Sequence, residues 1–103
     1  MTKVSNMTSS NGNKVANQFI VFESEATYFQ SYQTVIAKTC FEDGERKIFL
    51  DADSWDYSVT TSKYRNQFLG IDTKETKRRI KAGEIQLINL NPNGKFASNW
   101  KVS

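Results

Sequence analysis

The chain has 103 residues, of which 38% are hydrophobic, and its two Trp, four Tyr and seven Phe predict one folded domain with a small core. It contains no histidine and a single cysteine, Cys40, which excludes a His-based catalytic triad, an internal disulfide and a zinc site built from Cys and His. The formal net charge of +3 hides a division of charge, because residues 20–56 carry a net −5 and residues 57–83 a net +5. The longest apolar run, residues 19–22, is far too short to cross a membrane, and the lone thiol fits a reducing compartment. These features predict a cytoplasmic protein without membrane contact.

The N-terminal half of the chain predicts a flexible arm followed by strands. Residues 1–14 are rich in Ser, Thr and Asn without regular apolar spacing, which predicts an arm, and a single α+β domain is predicted over residues 15–103. Within that domain β-branched and aromatic residues predict strands at residues 16–22, 27–32, 34–40 and 46–51. Asp43-Gly44 separates the last two strands and is typical of a two-residue hairpin turn.

Two short consecutive helices are predicted next. The segment 59–62 (VTTS) offers several hydroxyl side chains suited to cap the first helix, Tyr64 and Phe68 share one of its faces, and Gly70 is suited to end it. Residues 72–75 have the spacing of a capping box for the second helix, in which Glu75 and Arg79 are spaced for an ion pair and which Gly83 ends.

Residues 84–90 predict a further strand, followed by a turn at residues 91–94. Residues 95–103 predict either an edge strand or a segment laid across the core. The predicted fold is therefore α+β: a small antiparallel sheet of about four to five strands with two short consecutive helices, in the order β-β-β-β-α-α-β. Trp55 and Tyr57 are expected to pack under the first helix.

Basic side chains on the two predicted helices form the first candidate site. On the second helix they recur at spacings of three and four, which produces one cationic stripe suited to phosphate contact, although such a stripe is also common on solvated surface helices. The predicted nucleic-acid-binding residues are Lys63, Arg65, Lys74, Lys77, Arg78 and Lys81.

Carboxylates in the first half of the chain form the alternative site, an acidic sheet face that imitates phosphates toward a protein partner. Its predicted residues are Glu42, Asp43, Glu45, Asp51, Asp53 and Asp56. The segment that starts at Asp51 lacks the Gly and the closing Glu of a calcium loop, and no glycine-rich phosphate loop follows a predicted strand. No catalytic residue, metal ligand or cofactor is predicted, and we do not expect an enzyme.

Two resemblances bear on function. The run Phe68-Leu69-Gly70-Ile71-Asp72, followed by Thr76, Ile80 and Gly83-Glu84-Ile85, resembles the helix-turn-helix of excisionase and MerR-like proteins. The segments YFQSYQT (28–34), YSVTTSKYRNQFLG (57–70) and ETKRRIKAGE (75–84), within residues 16–91, resemble a family of short uncharacterised bacteriophage proteins. The second resemblance implies a phage origin and a role in the cytoplasm of an infected bacterial cell, and it implies no catalytic or binding residue.

The sequence thus predicts a small non-catalytic bacteriophage accessory protein that binds DNA or RNA through a basic helix pair. The alternative is a phage inhibitor or counter-defence protein that binds a host nucleic-acid-handling protein through its acidic sheet face. A minor structural component that self-associates head to tail is a third class, and the sequence leaves the oligomeric state open.

Overall fold

The computed structural model describes residues 3–9 and 11–91, which form a six-stranded sheet with two helices against one of its faces. The elements in chain order are β1 (Lys3–Thr8), β2 (Lys14–Phe22), β3 (Thr27–Ser31), β4 (Thr34–Glu42), β5 (Glu45–Asp51), α1 (Val59–Leu69), α2 (Thr73–Lys81) and β6 (Ile85–Ile88). The α+β class is confirmed. The strand count is higher than predicted, and five strands rather than four precede the helices.

The first five strands form an antiparallel meander, so that sheet order follows chain order. Glu42 pairs with Glu45 across the β4–β5 turn, whose central residues Asp43 and Gly44 have φ angles of 54° and 81°. Positive φ at both central residues is the geometry of a tight turn whose twist matches that of the flanking strands. The predicted Asp-Gly hairpin is confirmed.

The last strand differs from the predicted antiparallel arrangement. β6 pairs with β5 in parallel, with Ile48 opposite Ile85 and Leu50 opposite Leu87. Adjacent parallel strands need a long crossover, and here α1 and α2 together supply it. The direction of β6 depends on where the helix pair returns the chain to the sheet, which no local pattern in residues 84–90 encodes.

The N-terminal segment contains an edge strand, so the predicted arm over residues 1–14 is wrong for residues 3–8. In β1, Val4 pairs with Val21 and Asn6 with Phe19 of β2, and the Met7 side chain is buried in the main core. Apart from Val4 and Met7 the strand is polar, which is tolerated at a sheet edge, because the backbone ladder and the packing of these two side chains hold it in place. Its composition therefore resembles that of an arm.

The main core lies between the sheet and the helices. The rings of Phe29 and Phe68 stack with centroids 5.9 Å apart, and Ile48, Leu50 and Tyr64 lie in the same buried cluster. Burial of each such side chain contributes on the order of 2 kcal/mol. A smaller cluster lies on the opposite sheet face and comprises Val21, Val35 and Leu90.

Local signals set the ends of α1. The N-cap is Ser58, one residue before the segment 59–62 in which the cap was predicted, and its Oγ accepts the Thr61 N–H at 3.0 Å. Gly70 ends the helix in the left-handed region with φ 78°, as predicted.

Similar signals set the ends of α2. Asp72 caps the helix and accepts the Glu75 N–H at 2.7 Å. After the helix, Gly83 has φ 81° and the Glu84 N–H donates to the Arg79 carbonyl at 2.8 Å, which is the Schellman arrangement. Of the two helices in the described part of the chain, neither is long and apolar enough to cross a membrane. The predictions for residues 92–103 lie outside the described residues.

Candidate nucleic-acid interface

The outer face of α2 brings four predicted site residues together. Lys74, Lys77, Arg78 and Lys81 are all exposed and follow one another at helical spacings of three, one and three residues. The inner face is fixed by Thr76, which is fully buried. Because one side of α2 is anchored, its cations are presented on a rigid element.

Three of these four cations are unpaired within the part of the chain that the structure describes. Lys74, Lys77 and Lys81 have no ion pair or hydrogen-bond acceptor among residues 3–9 and 11–91. Arg78 is shared with acidic side chains, since its Nη2 lies 2.7 Å from Glu75 and its Nη1 lies 3.8 Å from Glu84. The lysines therefore carry most of the uncompensated charge.

Glu75 organises the two arginines of α2. Its carboxylate accepts hydrogen bonds from Arg78 and, as predicted for the i, i+4 pair, from Arg79 at 2.7 Å. Hydrogen bonds from Arg78 and then from Arg79 lower the pKa of Glu75 from 4.5 to about 2. The depressed pKa means that these pairs stabilise the fold above about pH 4.5, and that their contribution is lost as the pH falls toward 2.

With its carboxylate engaged by the arginines, Glu75 makes no reciprocal capping-box contact to Asp72 among the described hydrogen bonds. Only the Asp72 half of the predicted capping box is therefore present among the described residues.

Lys63 extends the cationic surface onto α1. Its side chain is exposed, and its Nζ lies 5.4 Å from the centroid of the Tyr64 ring. Asn66, three residues later, donates through Nδ2 to the Thr73 hydroxyl at 3.0 Å, so this side of α1 adjoins the first turn of α2. Lys63 and Lys74 consequently lie on neighbouring parts of the same surface.

Arg65, in contrast, cannot contact a ligand, because its side chain is fully buried with 0% exposure. It is therefore removed from the predicted set. On α1, Arg65 directly follows Tyr64 and precedes Phe68 by three residues, which places it on the inward face.

The buried guanidinium of Arg65 is a structural clamp. Nη1 donates to the Trp55 carbonyl at 2.7 Å and lies 3.3 Å from Asp56, while Nη2 donates to Asn66 at 2.8 Å and to the Thr73 hydroxyl at 2.9 Å. Burial lowers the pKa of Arg65, and the hydrogen bond and charge of Asp56 oppose that shift. These contacts join the loop after β5, α1 and the start of α2.

The six acidic residues of the alternative site do not form one face. Glu42, Asp43 and Glu45 lie at the tip of the β4–β5 hairpin, whereas the others lie at or beyond the far end of β5. The seven residues from Glu45 to Asp51 span about 20 Å of strand. The predicted acidic sheet face is therefore divided into two separate groups.

Two carboxylates of the second group have structural roles. Asp51 is 3% exposed, and its oxygens accept the Leu90 N–H at 2.9 Å and the Ser54 N–H at 3.0 Å. Asp56 pairs with Arg65. Asp53 is exposed. Within residues 3–9 and 11–91, no group of three or more His, Cys, Asp or Glu side chains is placed to hold a metal ion.

A groove beside the basic helices was not predicted. Tyr57 was expected to pack under α1 but is 53% exposed, and Val59 at the start of α1 is 89% exposed. They line a groove of about 650 Å³ that reaches Lys63 and Thr73. Trp55, by comparison, packs against the main core as expected.

Comparison with known proteins places the chain in a family. Residues 2–84 match a family of unknown function, DUF8033. The chain belongs to this family. The DUF8033 match spans β1 to β5 and both helices, and so contains the basic stripe and the groove. No curated protein and no solved structure matches the chain.

Proposed function

We propose that the protein is a small non-catalytic accessory protein of bacteriophage origin that binds nucleic acid through α2, with Lys63 extending the contact surface onto α1. One observation carries the binding proposal: Lys74, Lys77 and Lys81 lie on one exposed helix face without an acidic partner among the described residues. The phage origin rests on the sequence resemblance alone.

The chemistry of this surface favours phosphate contact over recognition of base sequence. Lysine ammonium groups act as point charges toward phosphates, and contacts to phosphates position a protein on nucleic acid without reading its sequence. Binding through this face is therefore expected to be largely independent of sequence and strongly dependent on salt.

A salt titration tests this proposal. The protein is titrated with a labelled duplex DNA and a labelled single strand at about 50 and 200 mM salt. If the four cations of α2 each neutralise a phosphate, duplex affinity should fall about a hundredfold between the two salt concentrations. Absence of binding at the lower salt concentration would contradict the proposal.

The second candidate function is binding to a protein partner at the tip of the β4–β5 hairpin. Phe41 is 75% exposed there and lies beside Glu42, Asp43 and Glu45. An exposed aromatic ring next to carboxylates fits an apolar pocket with a basic rim on a host protein.

Capture experiments distinguish this second candidate. Immobilised wild-type protein is expected to retain a specific host protein that the Phe41→Ser variant does not retain. Tyr32→Ser is the matched control, because Tyr32 is also an exposed aromatic residue but lies in the β3–β4 turn, at the opposite end of the sheet. Equal retention by the two variants would exclude the hairpin tip as the docking surface.

A further inference from the structure

The groove at the start of α1 combines an exposed apolar wall with a polar floor. Tyr57 and Val59 form the wall, and Asn66 and Thr73 lie in its lining, where α1 meets α2. With a volume of about 650 Å³, it is large enough to hold a small organic group.

The polar floor of the groove is fixed before any ligand arrives. The Asn66 Oδ1 accepts from Arg65 at 2.8 Å, and its Nδ2 donates to Thr73 at 3.0 Å. Asp56, the acidic residue in the lining, is engaged by Arg65 at 3.3 Å and by the Ser62 hydroxyl at 3.0 Å. Its charge is therefore offset, and it does not repel an anionic ligand strongly.

One lysine lies in the lining of the groove and two more follow the lining residue Thr73 on α2. Lys63 is part of the lining, Lys74 directly follows Thr73, and Lys77 lies one helical turn after Thr73 on the same face of α2. A ligand that suits both parts of the site carries a flat, largely apolar group next to negative charges. A nucleotide in a single strand has this composition, because its base presents a π face while its phosphates follow the backbone.

We infer that the groove takes one unstacked base of a single-stranded nucleic acid, stacked on Tyr57, with the flanking phosphates along Lys63, Lys74 and Lys77. This inference rests on the proposed function and defines its preferred substrate. Bases inside a duplex are paired and stacked and cannot enter the groove. A duplex contacts only the cationic stripe.

The test compares two tyrosine variants on two substrates at constant salt. Tyr57→Ala is expected to weaken binding to a labelled oligothymidylate by about tenfold, because stacking on one aromatic ring contributes about this much per base. Its affinity for duplex DNA should stay within about twofold of wild type, since phosphate contacts supply sequence-independent binding. Tyr57→Phe, which keeps the ring, should bind both substrates like wild type.

Tyr32→Ala is the matched control, because Tyr32 is similarly exposed at 58% but lies in the β3–β4 turn. It should change neither affinity. If Tyr57→Ala and Tyr32→Ala bind the single strand equally well, no base stacks on Tyr57 and the inference is overturned. The proposed binding of nucleic acid through α2 then still stands, and the groove would be available to a protein partner. If Tyr57→Ala weakens both substrates equally while remaining folded, the inference of single-strand selectivity is overturned. If wild-type protein binds neither substrate, the proposed function fails together with the inference.

Discussion

Replacing Arg65 with methionine is expected to lower the free energy of unfolding by about 3 kcal/mol. Removal of one partner from a buried, hydrogen-bonded charge pair typically costs this much, because the remaining polar groups lose their partners without regaining water. Here the change strands the Trp55 carbonyl, removes one of the two donors to the Thr73 hydroxyl, and leaves Asp56 without its cation. For a domain of this size, a loss of about 3 kcal/mol should lower Tm by more than 10 °C.

Chemical denaturation followed by circular dichroism measures this effect, with two comparison variants. Arg65→Lys retains the charge but loses the planar fork, so it should recover less than half of the lost stability. Arg46→Met removes an exposed arginine whose described contact is a 3.3 Å hydrogen bond to the Leu69 carbonyl, and it should cost less than about 1 kcal/mol. A loss for Arg65→Met no larger than that for Arg46→Met would show that the clamp does not stabilise the fold.

The Arg65 clamp also connects the fold to the candidate site. It binds Thr73 at the first turn of α2 and Asn66 on α1, and both residues lie in the groove lining. A lower nucleic-acid affinity of an Arg65 variant would therefore reflect lost structure and not a lost contact to the ligand. Binding experiments should instead change the residues on the exposed face of α2.

Features set by local backbone chemistry were predictable from the sequence. Asp43-Gly44, Gly70 and Gly83 each occupy positive φ, where glycine and, to a lesser degree, aspartate are tolerated, and each ends its element as predicted. Asp72 caps α2 for a similarly local reason. The parallel direction of β6 and the pairing of polar β1 were not predictable in this way, because both depend on partners distant in sequence.

The error at Arg65 has a different origin, since the sequence does contain a signal. Tyr64, Arg65 and Phe68 follow one another at helical spacings of one and three residues, so a helix that buries the two aromatic rings also turns Arg65 inward. Net charge alone does not distinguish a buried clamp from an exposed contact. Asp51 was also predicted to lie on an exposed binding face but has a structural role. A carboxylate at the end of a strand can either contact a partner protein or accept hydrogen bonds from backbone N–H groups of a neighbouring segment, as Asp51 does from Leu90.

Changing Lys74, Lys77 and Lys81 together to glutamine is expected to lower the affinity for duplex DNA at least a hundredfold at about 100 mM salt. Each phosphate contact contributes about −0.9 to the slope of log K against log salt. Loss of three of the four contacts should therefore change this slope from about −3.6 to about −0.9. Arg78 is left in place because it is bound to Glu75, and its removal would disturb the pairs on α2. Measurement of affinity over a range of salt concentrations gives both quantities.

The matched control separates the location of charge from its amount. Changing Lys3, Lys14 and Lys47 to glutamine also removes three positive charges, but from strands β1, β2 and β5, so both variants have a formal net charge of 0 instead of +3. If the two variants lose affinity equally, binding follows overall charge and α2 is not the contact surface.

Removal of a negative charge from α2 provides an independent check, because Glu75→Gln releases Arg78 and Arg79 from their shared carboxylate. That variant is expected to bind severalfold more tightly than wild type, an increase in affinity that damage to the fold would not produce.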